Sequence, residues 1–346
     1  MFIKDMKAID FLLEYACPSI MYRTKKEILK EILSKEEYEN AQNQILQDEQ
    51  VRHVLSLQKE DGWIGKTFHG EDEPESGIRL LCEKGVDSKN TALVRAIDAI
   101  ENLGEEFDQG CLYRVGKLLD EANLGGSRMM KACVYAYAGI DNTDFMNGQI
   151  DKALAAFRFV ITVSQMNDVY MEKNGKKVFN ENVPWPSIYH LRLLAFTNSW
   201  KNDDNRSMMI HSLNRLCEFG TIPHISLLHK SQLISPGSFC MIDFDVKLED
   251  LSAKEWMMWF HRIELIARLG VINDVHILSK QVDQLEEILM KAEGVFSKKL
   301  SHYYFNKWTP YLGLALENDW RKKNARICDL TFRSLLIMKL TGRLDL

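Results

Sequence analysis

The chain has 346 residues, 46% of them apolar, which is enough to bury a large core and excludes disorder as a whole. Its formal net charge is −5, with Lys and Arg interspersed among Asp and Glu, so no phosphate-neutralising surface is expected and nucleic acid is excluded as a partner. No run of about 18 uncharged apolar residues occurs, so no membrane span is expected.

The N-terminus, Met1-Phe2-Ile3-Lys4-Asp5-Met6-Lys7, carries charges where a signal peptide is apolar. Seven cysteines, at 17, 82, 111, 133, 217, 240 and 328, are scattered, odd in number and free of any C-x-x-C pair. That usage points to reduced thiols and a cytoplasmic location.

Helical periodicity dominates from the start. Ile9, Leu12, Leu13 and Ala16 share one face, and Cys17-Pro18 stops that helix. Tyr22 to Leu33 repeats the pattern, with Ile28, Leu29, Ile32 and Leu33 expected inward. Ser34 and Glu37 form a capping box, opening a helix through Ile45, Val51, Val54 and Leu55 towards Gln58. Further helices are predicted over 77–84, 90–103, 111–121, 127–138, 147–164, 187–198 and 204–218. Tyr170-Met171 and Val178-Phe179 flank Asn174-Gly175, a turn pair that favours a small hairpin. Ser252 and Glu255 make a second capping box, before a helix through Trp256, Trp259, Phe260, Ile263 and Ile266 that Gly270 is placed to end. The last helices are predicted over 275–291, 300–317 and 324–340. So many helices joined by short Gly, Asp and Asn loops imply an all-α array of antiparallel pairs. One helical domain over 1–346 is expected.

The turn Gln58-Lys59-Glu60-Asp61-Gly62-Trp63 resembles the Q-x-x-D-G-W turn of squalene-cyclase and protein-prenyltransferase-type helical rings. Tyr22-Arg23 followed by Leu29 resembles a helix start common in that superfamily. Phe68-His69-Gly70 and the Glu83-Lys84-Gly85-Val86 elbow continue the likeness, as do Trp320-Arg321 and Asp329-Leu330-Thr331-Phe332-Arg333. The resemblance implies an α/α toroid with a central cavity, in which Gln58 satisfies free helix-end groups and Trp63 packs on the next unit. It implies an apolar or isoprenoid-like ligand and leaves catalysis open.

Chemistry-bearing residues give several candidates, each with a plainer reading. Asp243-Phe244-Asp245 supplies the first two acids of a D-x-D-D protonating motif, and is equally an ordinary loop after Pro236-Gly237. Asn202-Asp203-Asp204-Asn205-Arg206-Ser207 superficially matches a magnesium motif. His211 stands where its Glu belongs, however, so helix capping is the better account. His224 and His229 lack the spacing that aligns two imidazoles, and no metal or other cofactor is implied. Glu71-Asp72-Glu73-Pro74-Glu75 reads as a solvated connector, or as an acid site should it face a cavity beside His69.

The pocket expected from the ring is walled by Trp185, Trp256, Trp259, Trp308 and Tyr311, with His69 and His190 as polar contacts. Acid-initiated chemistry would fall to Asp243 or Asp245. Two other classes fit the same residues: a non-catalytic helical scaffold gripping a protein partner, and a carbohydrate-active toroid with paired carboxylates.

Overall fold

The computed structural model describes residues 6–108, 110 and 112–344, so Cys111 lies outside the described residues. Among them the chain is overwhelmingly helical: fifteen α-helices and two small two-stranded sheets. The all-α expectation holds. The chain groups into two compact units. The first comprises Met1–Phe107, Leu248–Glu264 and Gln281–Leu346; the second comprises Asp108–Lys247 and Leu265–Lys280.

The first unit opens with α1 (Met6–Tyr15), α2 (Pro18–Arg23), α3 (Lys35–Leu46), α4 (Glu49–Ser56), α5 (Pro74–Glu83) and α6 (Thr91–Asn102). The Ser34–Glu37 capping box that starts α3 is made in full, each side chain bonding the other's backbone N–H. One continuous helix through Ile45 and Val54 does not form. Asp48 interrupts it, and its carboxylate accepts from the N–H groups of Gln50 and Val51 to start α4 afresh.

The predicted helix over Tyr22–Leu33 is also corrected. After α2 the backbone takes a π-helical turn, Thr24–Ile28, and Lys30 then adopts a left-handed φ of 59°. The helix ends there instead of continuing to Leu33, so Ile32 sits in non-helical chain, off any inward face, and is 98% exposed.

The second unit contains α7 (Leu112–Glu121), α8 (Ser127–Tyr137), α9 (Asp144–Thr162), α10 (Ile188–Phe196) and α11 (Asp203–Glu218). The predicted hairpin is present as β1 (Tyr170–Lys173) and β2 (Lys176–Phe179), with Tyr170 opposite Phe179. A second hairpin, β3 (Leu227–His229) and β4 (Gln232–Ile234), has turn residues that give no comparable sequence signal. Asn202 caps α11 as expected, its side chain accepting from the Asn205 N–H.

The chain continues through α12 (Ala253–Leu269) and α13 (His276–Met290), which contribute residues to both units. Gly270 ends α12 at φ 77°, as its position predicts. The predicted helix over 300–317 shrinks to α14 (Tyr303–Asn306), because Pro310 withholds a donor and Gly313 turns at φ 98°. The closing α15 (Ala325–Leu340) is buried along nearly all of its length from Cys328 to Met338. A helix buried all round belongs inside a unit, and α15 is that helix for the first unit; α10, buried from Ile188 to Ala195, is its counterpart in the second.

Candidate functional site

The Gln58 turn behaves as its chemistry predicts. The Gln58 amide donates to Gly62 O at 3.0 Å and to Ala92 O, in the first turn of α6, at 2.7 Å. Gly62 has φ 94°, and a Cβ there would stand 2.3 Å from Arg95 O. Only glycine fits. The turn is thus a clamp between α4 and α6.

A cleft of about 940 Å³ opens in the first unit. Helix α4 builds one wall: Glu49, Arg52, His53 and Ser56 repeat at helical spacing and line the cleft, while Val51 sits on the buried side. The segment 65–73 builds a second wall. Glu73 holds it in shape, its carboxylate accepting from the N–H groups of Lys66 at 2.7 Å and Thr67 at 2.6 Å. Asp72 sits there at a left-handed φ of 61°. From that segment Asp72 meets His53 Nε2 at 3.1 Å, and Glu71 meets Lys307 Nζ at 2.9 Å.

Asn306, Lys307 and Trp308 close the cleft from the C-terminal part of the chain. The Trp308 ring is fixed on one side by the Arg79 guanidinium, 4.8 Å from its centroid, and its Nε1 donates to Ala315 O at 3.2 Å. Arg79 in turn donates to the carbonyls of Thr309, Leu312 and Gly313. Asn318 is anchored by the fully buried Lys84, whose ammonium also binds Asp48 at 3.0 Å and Leu316 O at 2.5 Å. Lining groups with fixed positions cost little ordering when a ligand binds. Two amide oxygens on the wall, Gln50 Oε1 and Asn306 Oδ1, are buried and have no hydrogen-bond partner.

The sequence-predicted site residues scatter around this geometry. Trp308 does line the cleft. His69 and Tyr311 stand together, ring centroids 5.7 Å apart, and His69 Nδ1 lies 2.5 Å from Glu75 Oε2. Glu75 is only 4% exposed while Glu71 and Asp72 are exposed, so the run 71–75 is only in part the solvated connector expected of it: its four carboxylates hold two imidazoles, two backbone N–H groups and the Lys307 ammonium.

Trp256 and Trp259 are core residues, at 0% and 1% exposure. Trp256 packs against Trp259 at 5.4 Å and Phe296 at 5.5 Å, and Trp259 donates to Gln281 at 2.9 Å. They line none of the cavities described, and neighbouring rings occupy their faces.

In the second unit, Trp185 borders a niche of only about 10 Å³, about the room one water needs. His190 is a helix cap and not a pocket contact: its Nδ1 accepts from the Ser187 N–H at 2.9 Å. Burial, with a smaller push from Lys152, lowers its pKa to about 3, so the ring is neutral. Asp245 is exposed and Asp243 half-buried, the latter bridging Thr221 through its backbone, while Phe244 between them points into the core. The burial that a protonating acid requires is missing from this pair.

Sequence reasoning missed the most unusual chemistry of the first unit. Arg23, Glu83, Arg333 and Glu264 form a buried chain: Glu83 Oε2 takes Arg23 at 2.8 Å and Arg333 at 3.0 Å, and Arg333 reaches Glu264 at 2.7 Å. Charges alternate along it, and no cavity opens onto it among those described. It ties α2, α5, α12 and α15 together. Among the described residues no cluster of three or more His, Cys, Asp or Glu side chains could hold a metal, and no helix is long and apolar enough to cross a membrane.

No protein-family profile, curated protein or solved structure matches this chain.

Proposed function

We propose that this protein binds a polar, hydroxyl-bearing small molecule of the saccharide class in the Trp308 cleft. One observation carries the reading: eleven of the fourteen residues lining this cleft are polar or charged, and only Val54, Leu80 and Trp308 are apolar. Paired cations and anions on the walls suit a neutral, hydrogen-bonding ligand better than an ionic one. An isoprenoid needs apolar walls, and Trp256 and Trp259, two of the aromatic residues expected to supply them, are packed against each other in the core.

Kinship with the helical toroid superfamily, and closure of the helix pairs into a ring, belong to the same proposal. They rest on the Gln58–Trp63 clamp and on the Gly85 and Gly270 elbows, both left-handed. Of the classes that resemblance admits, the carbohydrate-active one fits this cleft. If the site is catalytic, His53 with Asp72 is the proton-handling pair, since the carboxylate orients the imidazole.

Isothermal titration with a panel of neutral oligosaccharides and a farnesyl alcohol tests the reading. Saccharide binding that is lost in His53→Ala and Asn306→Ala is expected. Binding of the isoprenoid alone would reverse the assignment.

A further inference from the structure

Immediately before Asn306, Lys307 and Trp308, which close the cleft, the chain presents three rings. His302 stacks on Tyr303, with 4.7 Å between centroids and 29° between planes. Tyr304 stands edge-on to both, 4.5 Å from His302 and 4.8 Å from Tyr303. Local chemistry holds the trio. His302 Nδ1 caps α14 by accepting from the Tyr304 N–H at 3.2 Å, and the Lys254 ammonium lies 5.5 Å from the Tyr304 ring. Three near-equal separations make a triangle, so neither neighbour covers the face of Tyr303 opposite His302. That face is open, and Tyr303 is 60% exposed. The ring is also tied to the cleft. Lys307 N–H bonds to Tyr303 O at 2.9 Å, which sets the two residues one helical turn apart on one face. Their side chains interact electrostatically, and the Lys307 ammonium bonds Glu71 at 2.9 Å; both partners of that bond line the cleft.

We infer that Tyr303 is a second subsite beside the cleft, stacking one ring of a neutral oligosaccharide whose neighbouring units occupy the cleft itself. The inference rests on the saccharide reading of the cleft and adds a length to it: the ligand is a chain of linked sugars, not a single one. A pyranose ring carries C–H groups on its face and hydroxyls around its rim. The open Tyr303 ring offers apolar area to the face, while Lys307 and Glu71 offer a donor and an acceptor to the rim. The four residues from Tyr303 to Lys307 advance about 6 Å along a helix axis, a step comparable with one linked pyranose, so adjacent units reach both. A ring already fixed by its neighbours loses little freedom when a sugar covers it.

Isothermal titration of the full chain with α- and β-1,4-linked glucose oligomers of one to four units reads the length dependence. A rise in affinity of about tenfold or more from glucose to the longer members is expected. Tyr303→Ala should bring the tetramer down to about the affinity of glucose, whereas Tyr303→Phe, which keeps the ring, should retain most of the gain. Both variants should melt where the unaltered chain does, because the side chain is exposed. An affinity independent of length, or a Tyr303→Ala loss equal for glucose and tetramer, overturns the subsite and leaves the saccharide reading of the cleft standing. No binding by any oligomer overturns both.

Discussion

Asp329 lies wholly inside the first unit, where it accepts from the N–H groups of Leu316 and Glu317 and from the Trp320 indole. Burial outweighs those donors and pushes its pKa up to about 7. In the unfolded chain the same carboxyl titrates near pH 4, so the folded state binds the proton more tightly. Stability from this group is complete below about pH 4 and is lost as pH rises through about 7. Asp329→Asn cannot ionise, so the fall in unfolding free energy between pH 5 and pH 8 should shrink by about 2 kcal/mol in urea titrations. An unchanged pH dependence would refute the assignment. Gly62 makes a steric case at the same scale: Gly62→Ala puts a Cβ against Arg95 O and keeps a left-handed φ, so a loss of about 2 kcal/mol or more is expected by denaturant titration.

Among elements, the buried chain of Arg23, Glu83, Arg333 and Glu264 joins four helices distant in sequence. Glu83→Ala would leave two buried guanidinium groups without the carboxylate between them, at a cost of about 3–5 kcal/mol by urea unfolding. Arg23 keeps Glu27 and Arg333 keeps Glu264 in that variant, so replacing Arg23 by Met should recover part of the loss by removing the repulsion between the two guanidinium groups. Helices whose signals are local were legible in the sequence. Ser34 with Glu37, Asn202 and Gly270 each set an end through their own chemistry. The 22–33 and 300–317 predictions failed for local reasons that periodicity does not register. The helix from Pro18 stops after its π turn at Ile28, before Ile32, and Pro310 with Gly313 broke a segment whose apolar spacing looked helical. The ion chain was illegible because each charged residue has an ordinary helical neighbourhood, and only the fold brings their side chains together.

For the whole molecule, the cleft follows the same rule. Its walls come from 49–56, 71–72 and 306–318, and no sequence window contains more than one of them. Only the stripe of Glu49, Arg52, His53 and Ser56 could have pointed to it, as a polar face repeating at helical spacing. Trp308 was found as an aromatic, but the polarity of its surroundings came from elsewhere in the chain. A fold that invests this many fixed polar groups in one cavity is arranged to bind something that hydrogen-bonds. The most direct test is amide hydrogen exchange of the full chain with and without a saturating neutral oligosaccharide. Slowed exchange confined to 49–56, 66–73 and 306–318 is predicted. Protection centred instead on the Trp256–Phe260 stretch, or no protection by any saccharide alongside protection by an isoprenoid, would contradict the account.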